Sequence, residues 1–184
     1  QALIDRVRTS GFKTIRIPVS YLGHIGAGPN YTVNAAWLNR IQQVFDYAHG
    51  RGLYVLINMH GDGYKTVTGS WLICDAADQT TIKDKYQKVW QQVATRFQSY
   101  NDRLIFESMN ENFDGQYGNP TQPCYSNINA YNQIFVDTVR RAGGNNSARW
   151  LLVPGWNTNI DHTVGSGFVL PTDQNRSSSI PANE

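Results

Sequence analysis

The stretch Arg103-Leu-Ile-Phe-Glu-Ser-Met-Asn-Glu111 decides how the rest of the sequence is interpreted, because an apolar run ends in an amide beside a carboxylate. A run of Leu, Ile and Phe is typical of a buried parallel strand. Asn110 and Glu111 then stand where that strand meets its loop. In barrels of alternating strands and helices, active sites form at this carboxyl end of the strands. The alternative is that Glu111 is merely a polar residue that starts a loop.

The rest of the chain repeats this alternation of strand and helix. Apolar runs predict three more strands, at residues 12–19, 53–60 and 149–154. Apolar residues spaced three or four positions apart predict helices at residues 2–10, 128–142, from Asn34 to about Gly50, and from Thr80 or Thr81 to Phe97. This order predicts an α/β protein with four parallel strands and right-handed crossovers. No Gly-rich phosphate motif follows any strand, which argues against a dinucleotide-binding fold.

Composition narrows the class of protein. The chain has 184 residues, 40% of them hydrophobic and 16% charged, which is enough for one domain with a real core. The net charge is only +2 and no run of like charges occurs, so we expect neither nucleic acid nor an anionic membrane as a partner. No apolar stretch approaches the roughly 20 residues that a membrane span needs. Because the sequence begins with Gln1 rather than Met, we expect a processed or cut chain.

Three segments together resemble glycoside hydrolase family 5, a family of retaining (β/α)8-barrel enzymes that includes endoglucanases. They are Ile15-Arg-Ile-Pro18, Asn58-Met-His60 followed by Gly-Asp-Gly, and Phe106-Glu-Ser-Met-Asn-Glu111. The segment Leu152-Val-Pro-Gly-Trp156 is similar to the fifth strand of the endoglucanase and xyloglucanase branch. The resemblance implies a partial TIM barrel holding the second to fifth strands. We therefore expect a partial TIM-barrel glycosidase domain over residues 1–170 and a polar tail or loop over residues 171–184.

The resemblance also implies roles for individual residues. Glu111 matches the acid/base of the family, and Asn110 matches the amide that holds the sugar 2-hydroxyl. Arg16 and His60 match polar supports on the two preceding strands. For a His at a strand end, the alternative is an ordinary polar residue with its hydrogen bonds satisfied.

Aromatic residues in the loops are candidates for sugar platforms. Trp71 and Trp156 follow predicted strands, where such platforms would be expected, although the family does not fix these positions. The alternative for both is packing against the rim of the barrel. Tyr64 and Tyr117 are weaker candidates of the same kind.

No second catalytic carboxylate can be assigned. Retaining hydrolysis needs two carboxyl groups roughly 5–5.5 Å apart. Glu107 lies four residues before Glu111, about 13 Å along a strand, so we expect it to be an interior carboxylate paired with a cation such as Arg16. In the family, the nucleophile lies on the seventh strand, which has no counterpart here. Asp114 and the terminal Glu184 lack a supporting pattern.

The expected function is that of a secreted endo-β-1,4-glycosidase of the endoglucanase type, acting on β-glucan without a cofactor or metal. The isolated chain is expected to be inactive, with the missing part of the barrel or a second copy as its partner, because half a barrel exposes sheet edges. The alternative is a non-catalytic half-barrel that binds polysaccharide or self-associates. Cys74 and Cys124 form either a disulfide or two free thiols, and the sequence leaves both open.

Overall fold

The computed structural model describes residues 1–113 and 120–179. Its sheet has four parallel strands in the order β1-β2-β3-β4: β1 (Thr14–Ile17), β2 (Tyr54–Asn58), β3 (Leu104–Glu107) and β4 (Leu151–Leu152). Each strand lies beside the next one in the chain, and a helix forms each crossover. This arrangement confirms the predicted partial barrel of four parallel strands.

Four helices fall close to the predicted positions: α1 (Ala2–Thr9), α2 (Ala35–Gly50), α3 (Gln79–Arg96) and α4 (Gln122–Arg141). A short fifth helix, α5 (Ile160–Thr163), was not predicted. Asn34 caps α2 as predicted, because its side chain accepts hydrogen bonds from the backbone of Ala36 and Trp37. Helix α4 begins earlier than predicted, with Pro123 in its first turn, where a missing N–H costs nothing. Within the described residues, no helix is both long and apolar enough to cross a lipid bilayer.

Alternation along the strands gives the sheet two different faces. The helix face, which packs against α2, α3 and α4, carries Val55, Ile57, Leu104 and Phe106, all of them buried. The open face carries the alternate residues of each strand, on the same side as Glu107. They are Arg16, Tyr54, Leu56, Asn58, Ile105 and Leu152. The helix face therefore holds the hydrophobic core. Polar side chains lie on the open face toward the carboxyl ends of the strands.

Strand β3 is shorter than predicted. It ends at Glu107, and residues 108–111 continue without a regular ladder. The backbone is still anchored there, since Ser108 donates to the Leu152 carbonyl at 3.0 Å and Asn110 donates to the Met59 carbonyl at 2.8 Å. Asn110 and Glu111 are thus held at the carboxyl end of the sheet although they lie outside the strand.

The amino ends of the strands are held by two buried arginines. Arg149 lies just before β4, and its guanidinium donates to the carbonyls of Phe97, Tyr100, Asn101 and Leu104 and to the Asn146 side chain. Arg140 on α4 donates to two further carbonyls and forms a salt bridge with Asp173 at 2.8 Å. Residues 171–179 form no helix or strand, yet Asp173 fastens them to α4. The division predicted at residue 170 stays a prediction.

A disulfide joins Cys74 to Cys124, which decides between the two alternatives for the cysteines. It links the loop after β2 to the first turn of α4. Asp75 lies beside the two sulfur atoms in the one group of potential metal ligands among the described residues. Both sulfurs of that group are bonded to each other. The disulfide therefore fixes the loop that follows His60 to the body of the domain.

Candidate active site

The centre of the site is an arginine fork on the open face of the sheet. Arg16 on β1 donates from Nε to Glu107 Oε2 at 2.7 Å and from Nη2 to Glu107 Oε1 at 2.9 Å. The same Nη2 donates to Asn110 Oδ1 at 2.7 Å. Hydrogen bonding to Glu107 is the main cause that raises the pKa of Arg16 further above its ordinary value. The predicted pairing of Glu107 with Arg16 is confirmed, and it spans from β1 to β3 across β2.

Glu111 is joined to this fork through Tyr64. The Tyr64 hydroxyl donates to Glu111 Oε2 at 3.3 Å, and the Asn110 amide nitrogen donates to the same hydroxyl. Asn110 is buried, whereas Glu111 and Tyr64 are half-buried. A continuous hydrogen-bonded chain therefore runs from Glu107 through Arg16, Asn110 and Tyr64 to Glu111. We call these five residues the carboxyl-end network.

His60 is oriented by Asn58, two residues earlier at the end of β2. Asn58 Oδ1 accepts from the Val19 backbone N–H at 3.2 Å, so Asn58 Nδ2 is the atom that lies 3.3 Å from His60 Nδ1. Since that amide nitrogen donates, Nδ1 accepts, and a neutral ring carries its proton on Nε2. Burial, and then the positive charge of Arg16, lower the pKa of His60. The ring is thus a neutral Nε2–H donor near pH 7.

Trp71 is held at its edge and on one face. Its indole Nε1 donates to Asp62 Oδ1 at 2.8 Å, and the Lys85 ammonium lies 4.3 Å from the ring centroid. Asp62 is buried, which is the main cause that raises the pKa of its carboxyl, and it also accepts from the Tyr21 backbone N–H at 2.9 Å. Trp71 itself remains half-buried. The indole is therefore fixed in orientation while part of its surface stays accessible.

Trp156 does not form an open platform. Only 2% of the residue is exposed, and its ring packs edge-on against Phe113 and His162, with centroid distances of 6.5 and 5.0 Å. The sugar-platform role predicted for Trp156 does not fit this burial. The rim-packing alternative does, because the indole contacts the rings of Phe113 and of His162 on α5.

Comparisons with known proteins match this geometry. The family model for cellulases, glycosyl hydrolase family 5, matches residues 1–179. The chain belongs to glycosyl hydrolase family 5. It is 70% identical to endoglucanase A of Paenibacillus barcinonensis over 99% of its own length and 46% of that protein.

Solved structures agree with the family assignment. A family 5 xyloglucanase from Paenibacillus pabuli, solved with a ligand, superposes with a TM-score of 0.94 at 70% identity over 98% of this chain and 51% of that one. A family 5 lichenase from Caldicellulosiruptor sp. F32, solved as a mutant with cellotetraose, superposes with a TM-score of 0.86 at 38% identity over 96% and 48%. The chain spans about half the length of the relatives it matches.

Within this family 5 chain, the structure brings four predicted site residues together, namely Arg16, His60, Asn110 and Glu111. Sequence reasoning missed Asn58, which is the last residue of the apolar strand β2, and ranked Tyr64 low, which lies in the loop after that strand. Trp71 lies in the same loop as Tyr64, fixed by Asp62. Asp114, Tyr117 and Glu184 lie outside the described residues.

Proposed function

We propose that the protein to which this chain belongs is a retaining endo-β-1,4-glucanase that hydrolyses β-glucan, with Glu111 as its acid/base. The observation that carries the proposal is the position of Glu111 at the carboxyl end of β3, joined through Tyr64 and Asn110 to the Arg16–Glu107 pair. That end of the strands is where barrel enzymes place their catalytic groups. The names of the family 5 relatives, which include endoglucanases and a xyloglucanase, support the substrate class.

The proposed chemistry assigns one proton transfer to Glu111 in each half of the reaction. Its protonated carboxyl donates to the glycosidic oxygen as the bond to the sugar breaks, and its carboxylate then removes a proton from the attacking water. Asn110 uses one amide hydrogen on Tyr64, so the second is available for the sugar 2-hydroxyl. His60 contributes a neutral Nε2–H donor in the same region.

The nucleophile of the proposed reaction lies outside this chain. Glu107 has both carboxylate oxygens bound to Arg16, and its hydrogen bonds support the site rather than leave an oxygen free for attack. We therefore propose that the remaining strands of the barrel supply the second carboxylate and that the isolated chain is inactive. The coverage of about half of each relative supports this view.

We propose the missing strands, rather than a second copy, as the cover of the open face. Tyr54, Trp150 and Leu152 lie on or beside that face with 39–49% of their surface exposed. A cleft of about 670 Å³ lies beside β1 between α1 and α2 and is lined by Ile15, Ile17 and other residues. In the described residues β1 pairs only with β2, so its outer edge can accept another strand.

Without those strands we expect the 184-residue chain to self-associate, and a monodisperse monomer in sedimentation would contradict this.

The test of the proposed function uses the complete barrel, meaning this chain joined to the strands that close it. We expect Glu111→Gln to lower kcat on carboxymethyl-cellulose and xyloglucan by about 10²–10⁴-fold. The loss should shrink on an aryl glycoside with an excellent leaving group, which departs without protonation. Asp84→Asn on α3 makes the same carboxylate-to-amide change at a surface ion pair and should keep full activity. Full activity of Glu111→Gln would end the assignment.

We also propose that the protein is secreted. Disulfides form and persist mainly in oxidising compartments outside the cytosol, and Cys74–Cys124 supports such a location. Detection of the protein in the culture medium, with this disulfide intact, is the expected result. Its retention inside the cell with two free thiols would contradict the proposal.

A further inference from the structure

We infer that Tyr64 is a positioning residue for the acid/base, and that Arg16 fixes the direction of its hydrogen bond through Asn110. The inference rests on the proposed role of Glu111 and deepens it. Tyr64 contacts both residues of the Asn110–Glu111 pair with a single hydroxyl group. It comes from the loop after β2, whereas the pair comes from the end of β3. Tyr64 is therefore the point at which two loops meet at the proposed acid/base.

The direction of each hydrogen bond follows from Arg16, which can only donate. The atom of Asn110 that lies 2.7 Å from Arg16 Nη2 must therefore be the oxygen, and the amide nitrogen must face Tyr64. Flipping the amide would set N–H groups against N–H groups. The Tyr64 oxygen accepts from Asn110, and the Tyr64 hydroxyl donates its proton to Glu111 Oε2. The network thus presents Glu111 with a donor.

Tyr64 is held on a short rigid turn. The 3₁₀ turn Gly61–Gly63 is buried and precedes it directly, and the Tyr64 N–H donates to the Gly61 carbonyl at 3.4 Å. A side chain at Gly63 would approach the Asn112 amide to 3.3 Å, so the turn packs closely against the residue after Glu111. The Tyr64 ring meets the His60 ring edge-on, with centroids 6.1 Å apart. These contacts keep the hydroxyl in one place relative to Glu111.

The hydrogen bond from Tyr64 to Glu111 should affect how the reaction depends on pH. A hydrogen bond to the charged form of an acid favours that form. Removing the donor should therefore move the pH dependence of the reaction to higher pH. Since the acid must be protonated to break the glycosidic bond, the alkaline limb of the kcat/KM profile reports on this change. The carboxylate would also lose a restraint on its rotamer, which lowers kcat.

The test compares Tyr64→Phe with Tyr47→Phe in the complete barrel. Tyr47 is a matched control because its hydroxyl also donates to a carboxylate, Asp5 Oδ2 at 2.6 Å, on the α1–α2 surface. On carboxymethyl-cellulose or xyloglucan, whichever the wild type cleaves, Tyr64→Phe should move the alkaline limb up by about half a pH unit or more. We expect kcat to fall roughly 3–30-fold, because one positioning contact is lost. Tyr47→Phe should change neither quantity.

Two outcomes would overturn the inference. A rise in KM with an unchanged pH profile would make Tyr64 a sugar platform, and an unchanged enzyme would deny it any role. If Tyr64→Phe misfolds, 3-fluorotyrosine at position 64 keeps the shape and makes the hydroxyl a stronger donor. The alkaline limb should then move to lower pH, and an unchanged limb would again refute the inference. Failure of the proposed function is separate, since it appears as an active Glu111→Gln variant.

Discussion

The two ends of the sheet are each organised by arginine, but in different ways. At the carboxyl ends of the strands, Arg16 is partly exposed, with 38% of its side chain accessible, and holds Glu107 and Asn110. At the amino ends, Arg149 is 1% exposed and donates mainly to backbone carbonyls. We call Arg149, Arg140 and Asp173 the amino-end cluster. At one end an arginine fixes the polar side chains beside Glu111, and at the other a buried guanidinium fixes backbone carbonyls.

The protonation of the two arginines follows from these surroundings. The carboxylate of Glu107 raises the pKa of Arg16, whereas burial, and then the nearby charge of Arg140, lowers the pKa of Arg149 to about 10. Arg149 still carries its charge at neutral pH, and its guanidinium donates hydrogen bonds to the turns between α3 and β3. In barrels, the carboxyl ends of the strands carry catalysis and the amino ends carry stability. The predictions below test that division.

Arg149→Met should produce the largest loss of stability. It leaves four backbone carbonyls and the Asn146 side chain without their buried donor, so we expect the free energy of unfolding to fall by about 3–5 kcal/mol. Urea unfolding followed by circular dichroism measures the change. In the complete barrel, the activity of each folded molecule should be unchanged, because no donor of Arg149 reaches the carboxyl-end network.

Arg141→Met is the control for this substitution. Arg141 is the next residue after Arg140 on α4, but 63% of its side chain is exposed and its contact with Asp137 is 3.8 Å long. We expect a change of no more than about 0.5 kcal/mol. An Arg149→Met variant as stable as this control would show that the amino-end cluster does not stabilise the fold.

Removal of the disulfide should have the next largest effect. It tests whether the carboxyl end of the sheet also contributes to stability. Cys74–Cys124 is a stabilising link at the carboxyl end, closing a separation of 50 residues. We expect Cys74→Ala with Cys124→Ala to lower the free energy of unfolding by about 2–4 kcal/mol. Because the disulfide anchors the loop that carries Tyr64, the activity of the complete barrel should fall as well. Reduction of the wild type should reproduce both losses, and unchanged stability in either experiment would contradict the prediction.

The sequence predicted the strands and helices well because their signal is periodic and local. His60, Asn110 and Glu111 were predicted because each follows an apolar run and matches a family motif, and Arg16 because the strand that contains it matches one. The link through Tyr64 was not, since it joins residues 46 and 47 positions apart and no local pattern marks such a contact. Likewise, the burial of Trp156 depends on which loops cover it, and the anchoring of Asp173 depends on Arg140, 33 positions away.

Asp173→Asn tests the part of the amino-end cluster that holds residues 171–179 against α4. The substitution removes the charge that faces Arg140 but keeps one acceptor, so we expect a loss of about 1–2 kcal/mol in the free energy of unfolding. Urea unfolding measures it, with the exposed Asp161→Asn as the control. Equal stability of the two variants would mean that residues 171–179 behave as the polar tail that the sequence predicted.

The smallest effect should come from His60, through the pH dependence of stability. Burial and the charge of Arg16 lower its pKa, while Glu107 and Glu111 oppose this, so the unfolded chain takes up a proton at a higher pH than the folded chain does. Stability should therefore fall as the pH drops through about 6.5, the ordinary value for His. His60→Gln should flatten this slope between about pH 5.5 and 7.5, whereas His49→Gln, on the surface of α2 beside Asn101, should leave it unchanged. Because the ring is partly exposed, the difference will be modest. If His60→Gln left the slope of stability against pH unchanged, the charges of the carboxyl-end network would not make folding depend on the protonation of His60. The two ends of the sheet would then differ in geometry alone.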